Sequence, residues 1–368
     1  MPPRTPTTQG RVLRSTTRKA EAEVLDNTAA AAILDPKNHH LFEKDVQQGS
    51  IIKSATAAPV IVPDQRFVWS VRLSLVLLAI TSYMFADVIQ GWIDVLWQYL
   101  LGTWWFRSVY FETVWATTTY AYLIPLYPYA MHYMSFLNCY KVDKSTTYIH
   151  QTLPDLLLEG VVYMTPLALM DTFMVKRYCG ADPNEWTVKA QDWIQTTRAL
   201  PLDPPSVWQL FYQVVGGVII YDVLFFFLHL TLHKFRPLYV WFHATHHDHD
   251  IMHAHVTNQL SVGERVALIL AANQALKILS SHPMSRAVFV PVFLWLLIEN
   301  HAGYDLPWGL QHLVPGGLWG GPRVHFAHHM HGSRHYQPFM TFMDAALEWW
   351  EGRSGPKKEC HCCSGKKL

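Results

Sequence analysis

Charge is scarce in this sequence. Of 368 residues, 28 are acidic and 29 basic, so 15% are charged against 50% apolar. Water-soluble globular chains usually carry about 25% charged residues. The shortfall excludes a surface given over wholly to water. The near balance of signs, a formal net charge of +1, lacks the basic excess that a nucleic-acid partner requires, so no such partner is expected. Cysteine is also scarce. Of the five, Cys139 and Cys179 lie in or near apolar stretches, and Cys360, Cys362 and Cys363 crowd the C-terminal end. That pattern excludes a regular disulfide framework and the small oxidised fold that goes with one. No signal peptide is expected, because the first long apolar run begins only near Phe67. No internal repeat is found.

What is abundant is apolar sequence in long segments. Val68–Ile89, Val114–Leu137, Leu156–Val175 and Val207–Leu228 each approach the ~20 residues that span a bilayer core. The charges within them (Arg72, Asp87, Glu159, Asp171, Asp222) are few. Trp92–Trp105 is shorter and Trp-rich, which suits an interfacial helix. Val262–Leu279 and Ala287–Ile298 are split by Ser280-Ser281-His282-Pro283, a tight-turn signal. That pair predicts a hairpin that enters the membrane and returns, with Glu264 and His301 emerging on one face. The polar stretch from Asp182 to Pro205 is expected outside the membrane. Residues 1–66 lack apolar periodicity and read as a disordered tail, its Arg11, Arg14, Arg18 and Lys19 favouring the cytosol. The chain thus divides into that tail, membrane helices with a polar loop over 67–205, a histidine-rich region over 206–350, and a flexible tail over 351–368.

Histidine is the other excess: 21 residues, 17 of them at or beyond His229. Three clusters stand out. His229 and His233 sit four apart at the end of an apolar helix. His243, His246 and His247 form an HxxHH pattern, and His325, His328 and His329 repeat it. Spacings of three and four put rings on one helix face. His301 follows the apolar hairpin. Nine imidazoles are too many for one ion and suit two, with positions left for water or oxygen. Iron, copper, nickel and zinc all accept imidazole. Oxidising an unactivated C–H bond requires a redox metal, which zinc is not. Asp222, seven residues before His229, is expected to accept a ring N–H from a ligand histidine. Asp248, Asp250 and Glu264 are further candidate acceptors. His249, His253, His255, His331 and His335 read mostly as solvated loop residues.

Taken together, the clusters resemble the fatty acid hydroxylase/sterol desaturase superfamily. The pattern is HxxxH (His229, His233), HxxHH (His243, His246, His247), a lone histidine in Asn300-His301-Ala302-Gly303-Tyr304-Asp305, then HxxHH (His325, His328, His329). Asp222, Glu264 and Asp344 match acidic positions of the family, over roughly 209–344. Leu230 stands where members commonly have Arg, and Ser261 where sterol-processing members often have His. His335-Tyr336-Gln337 replaces an Asn-Tyr-Gly, and a closing Gly-Thr near Asp344 is missing.

The resemblance implies an all-α integral membrane protein, with transmembrane hairpins and a cytosol-facing histidine-rich cap over a lipid tunnel. The nine histidines would hold two non-haem iron ions, with zinc able to take their place, and Asp222 and Glu264 would be catalytic. It also implies hydroxylation or desaturation of a sterol or fatty-acyl lipid in the endoplasmic reticulum. Electrons would come from NAD(P)H through a reductase and cytochrome b5, and both termini would be cytosolic. Two other classes compete. A membrane metal transporter would place its site near the bilayer midplane, whereas these clusters follow helix ends. A zinc hydrolase needs three ligands and leaves six histidines idle. The Cys360-His361-Cys362-Cys363 group is a candidate for palmitoylation or metal binding.

Overall fold

A computed structural model describes residues 62–352 except 145, 148–150 and 250, and omits the side chains of 124 and 125. The expectations for 1–61, for the cysteine group at 360–363 and for Asp250 lie outside the described residues. Helix dominates, and no strand occurs among the described residues, only isolated bridges such as Lys141 with Tyr304. The elements are α1 Gln65–Met84, α2 Ala86–Leu101, α3 Phe111–Tyr133, α4 Leu153–Phe173, α5 Pro183–Lys189, α6 Val207–Lys234, α7 Val262–Ile278, α8 Pro283–His301, α9 Gly321–His331 and α10 Phe342–Trp350. This all-α membrane architecture is the one the sequence implies.

Several boundaries differ from the sequence reading, each for a local reason. The first apolar segment is two helices, not one. Phe85 (φ −103°, ψ 20°) leaves helical geometry and its N–H caps Thr81 O. Asp87 then falls in the first turn of α2, where an acid suits the positive end of the helix dipole, rather than inside a span. The Trp-rich stretch belongs to that same α2 and to a single turn at Trp104–Arg107. The helix predicted to stop at Leu228 runs on to Lys234, so the first histidine pair lies inside it. The return helix begins at Pro283, because Pro favours the first turn and the His282 ring accepts the Met284 N–H at 3.2 Å.

Among the described residues, three helices are long and apolar enough to cross a membrane: α1, α4 and α6. The α3 helix, expected to join them, has the length at 23 residues but is diluted by Glu112, four threonines and several tyrosines. Only 6% of the apolar stretch of α1 and 0% of that of α4 is buried within the protein. Leu73, Val76, Leu77 and Leu78 of α1 and Leu157, Leu158 and Val161 of α4 point outward. In water such faces would be an aggregation liability, whereas hydrocarbon solvates them at no cost.

The interior is organised around α8. Helices α3, α6 and α9 and the turn at Ala254–Asn258 pack on it, and α7 lies along α6. Val214, Val218, Tyr221 and Phe225 recur at helical spacing on the buried face of α6 and meet Leu276, Phe289, Phe293, Leu296 and Phe339. With 28 residues, α6 is ~42 Å long against the ~30 Å of a hydrocarbon core, so about two turns can project beyond it. His229 and His233 lie in the last two turns.

Candidate metal centre

Each histidine cluster is set by a particular piece of backbone. Beyond α6 the chain turns at Phe235 and Arg236–Leu238, then passes through a wide π-turn at Tyr239–His243 and a helical turn at Ala244–His247. Such wide turns are uncommon and concentrate at functional sites. His301 is the last residue of α8. The third cluster lies on α9, which starts at Gly321-Pro322 and stops at Gly332 in the left-handed region (φ 63°).

These pieces bring all nine histidines together, buried, in two adjoining groups. His229, His233, His243, His247 and His328 form one, and His246, His301, His325 and His329 the other, each with one nitrogen per ring within 4.8 Å of the rest. The Nε2 of His229 lies 2.9 Å from that of His243 and 3.1 Å from that of His233, and His247 Nε2 lies 3.0 Å from His243 Nε2. In the second group His325 Nε2 lies 2.9 Å from His301 Nε2 and 3.2 Å from His329 Nε2. Two nitrogens each ~2.1 Å from a common cation and at right angles are separated by ~3 Å. The spacing therefore fits a pair of transition-metal ions.

The HxxHH patterns do not place all three rings on one face. In each, the first and last histidines (His243 and His247, His325 and His329) join one group and the middle one (His246, His328) joins the other. Consecutive helical residues differ by ~100° in direction, so neighbours in sequence serve different centres. Each pattern thus ties the two groups together. His247 and His329, from different groups, have ring centroids 4.6 Å apart.

The far side of several rings is held. His229 Nδ1 donates to Tyr336 O (2.8 Å), His301 Nδ1 to Leu297 O (2.8 Å) and His328 Nδ1 to Arg334 O (2.7 Å). His243 Nδ1 meets Glu264 Oε1 at 2.6 Å. A proton fixed on Nδ1 leaves the Nε2 lone pair facing the shared centre. Burial, reinforced by neighbouring rings, holds His243, His246, His247, His325, His328 and His329 well below the ordinary imidazole value. The rings are therefore neutral at neutral pH, the form that ligates.

Asp222 takes a different place from the one expected. It receives the backbone N–H of Phe339 (2.8 Å) and Met340 (3.1 Å) and the Gln337 side-chain amide, not a ring N–H. Asp344 accepts the N–H of Tyr336 (2.8 Å) and Gln337 (2.9 Å). The two acids pin a strap, 336–340, whose Tyr336 carbonyl orients His229. Asp248 is exposed. Of the histidines read as solvated, His255 is buried 3.3 Å from Glu159, and His249 Nε2 lies 3.0 Å from His329 Nδ1. Nothing in the local spacing of either marks it out. The strap's Gln337 was also missed; its oxygen receives the Met343 N–H at 2.6 Å, which fixes its amide toward Asp222.

The second group faces a cavity. His246, His301 and His325 line one end of it, and Tyr221, Phe225, Leu276, Phe289, Phe293 and Leu297 line its length. Arg286 lies at the other end, 15 residues before His301 on α8, or ~22 Å along the helix.

Residues 214–348 match the family model described as fatty acid hydroxylase. The chain is 32% identical over 175 residues to cholesterol 25-hydroxylase of Mus musculus, covering 48% of this chain and 58% of that protein. It is 29% identical over 248 residues to the Rattus norvegicus protein of the same name, 66% of this chain and 76% of that one. A methylsterol monooxygenase of Aspergillus fumigatus is 28% identical over 153 residues, 40% of this chain and 48% of that protein. The chain therefore spans about half of the Mus musculus and Aspergillus fumigatus proteins and about three quarters of the Rattus norvegicus one. No solved structure gives a significant match.

Proposed function

Residues 214–348 make this chain a member of the fatty acid hydroxylase/sterol desaturase superfamily, and on that premise we propose that it is an oxygen-dependent hydroxylase of a sterol-type lipid. The observation that carries the reading is a pair of adjoining buried histidine groups, of five and four rings, with the four-ring group on the wall of a largely apolar cavity. Two iron ions held by those groups would supply oxygen activation and the two-electron oxidation of a C–H bond. The overall change inserts one oxygen atom of O2 into that bond and releases the other as water, using two electrons and two protons. An external reductant supplies the electrons, a reductase and cytochrome b5 drawing on NAD(P)H in our reading. The membrane is that of the endoplasmic reticulum, with the histidine cap on the cytosolic side.

The chain's own residues have defined tasks in this scheme. Four histidines leave more coordination positions free than five do, and the four-ring group is the one on the cavity wall. Tyr336, Leu297, Arg334 and Glu264 hold the rings of His229, His301, His328 and His243, respectively, in one tautomer. Apolar cavity walls exclude water and orient the lipid carbon.

Purified protein is expected to contain about two metal ions per chain. His246→Ala should lower that to about one by emptying the four-ring group, and His328→Ala, which leaves four rings, should loosen the ion of the five-ring group so that a chelator removes it more readily. Either should abolish sterol oxidation in membranes while the protein remains membrane-inserted. Full activity after either change would reject the assignment.

A further inference from the structure

The end of the cavity remote from the histidines carries charge that oxygen chemistry has no use for. Helices α3, α4, α7 and α8 bring Glu112, Asp171, Asn273 and Arg286 there, and Lys176 follows α4. Arg286 grips Glu112 with two nitrogens, Nε at 2.8 Å from Oε1 and Nη2 at 2.7 Å from Oε2, and its Nη2 also reaches Asn273 Oδ1 at 2.6 Å. Lys176 Nζ bridges Glu112 (2.9 Å) and Asp171, and Thr113 Oγ1 donates to Asp171 Oδ2 at 2.6 Å. Arg198 supports Glu112 from behind at 3.5 Å and is not on the cavity wall.

Charges buried among apolar helices carry a desolvation penalty that well-packed apolar residues would avoid, and in membrane segments they usually mark a function. These groups also border the same cavity as His246, His301 and His325; Leu276, Phe289, Phe293 and Leu297 line it as well, and its other charged wall residues, Glu264 and Arg265, are engaged by His243 and Asn258. Within this cluster two cations, Lys176 and Arg286, face two carboxylates, Glu112 and Asp171. A charged head would stand there unmatched, whereas a hydroxyl can accept from Arg286 or Lys176 and donate to Glu112 or Asp171.

We propose that the Glu112–Asp171–Lys176–Arg286 cluster is the docking site for the hydroxyl of a sterol, which lies along the cavity with its apolar tail at the histidines. The proposal rests on the oxidoreductase reading and deepens it, because it fixes which end of the substrate is oxidised. The ~22 Å between Arg286 and His301 is comparable to a sterol from hydroxyl to side-chain terminus. The tail, not the ring carbons beside the hydroxyl, is then the part that reaches the metals.

The test uses the full chain in detergent, with cholesterol and its 3-deoxy analogue as radiolabelled probes, and mass spectrometry of any product formed in membranes. Cholesterol should bind roughly tenfold or more tightly than the analogue, since a site built around a hydroxyl rejects a ligand lacking it. Asn273→Leu, which withdraws one partner of Arg286 but leaves its pairing with Glu112, should shrink that ratio. Oxygen should appear on the side chain. Equal binding of the two probes by the unaltered protein, or oxygen placed beside the 3-hydroxyl, overturns the proposal while leaving a sterol oxidoreductase standing. Hydroxyl-selective binding with no oxidised sterol supports the docking site and removes the oxidoreductase reading.

Discussion

Glu264 and His243 meet at 2.6 Å with both side chains closed off from solvent, and that contact sets what His243 can do. A carboxylate on Nδ1 keeps the proton there and raises the donor strength of Nε2. Loss of such a partner commonly weakens metal affinity or activity by about 10–100-fold. Glu264→Gln keeps an acceptor of the same size and removes the charge. After dialysis against a chelator, metal content should fall from about two ions toward one, the five-ring group emptying first; two ions retained would argue against this tuning. Asp222 acts one step further away. Its three donors belong to the strap 337–340, and Gln337 cannot flip to suit an amide, because its own oxygen already receives the Met343 N–H. Asp222→Asn therefore turns an amide N–H2 toward another donor and should destabilise the protein by about 1–3 kcal/mol. Thermal melting in detergent reads the effect, and unchanged melting would mean the strap is held by Asp344 alone.

At the scale of elements, the turn after α8 is the tightest joint around the site. Gly303 has φ +80°, and a Cβ there would lie 2.6 Å from Thr146 Cγ2 and 3.3 Å from Met252 O. The turn releases the chain directly after His301, and Val142 N–H bonds to Gly303 O at 2.9 Å. Gly303→Ala combines a left-handed backbone with a steric overlap and should cost about 1–3 kcal/mol. It should also displace His301, so metal loss from the four-ring group is expected along with the lower melting point. A melting point equal to that of the unaltered protein would show that the turn yields without strain. This joint was partly legible in the sequence, as a Gly two residues after a lone His. The clustered histidines that converge were legible too, because i, i+3 and i+4 spacing is a local property. The division into five and four was not. It depends on how the α6, α8, α9 and 239–247 backbones are rotated toward one another. The break at Phe85 was equally hidden, since neither Gly nor Pro marks it and apolar residues continue on both sides.

Across the whole molecule, the histidine groups join pieces that are far apart in sequence: the end of α6, the turns at 239–247, the end of α8 and all of α9. The apolar core of α6, α7 and α8 lies below them, and the composition that predicts such a core says nothing of what closes its top. Nine neutral imidazoles in close contact repel no charge, but they also leave buried ring nitrogens such as His328 Nε2 without a protein hydrogen-bond partner. Ions that satisfy those nitrogens act as cross-links, and ligands that bind only the folded state raise stability by about 3 kcal/mol at a hundredfold excess over Kd. Stripping the metals with a chelator should therefore lower the melting temperature in detergent by several degrees or more. Ferrous iron should restore it, whereas magnesium, which prefers oxygen ligands and keeps its waters, should not. The loss should be smaller in His246→Ala and His328→Ala, which start with one group already weakened. Melting that is identical with and without metal would mean that the α6–α8–α9 packing alone closes the cap, and that the rings converge without an ion to hold them.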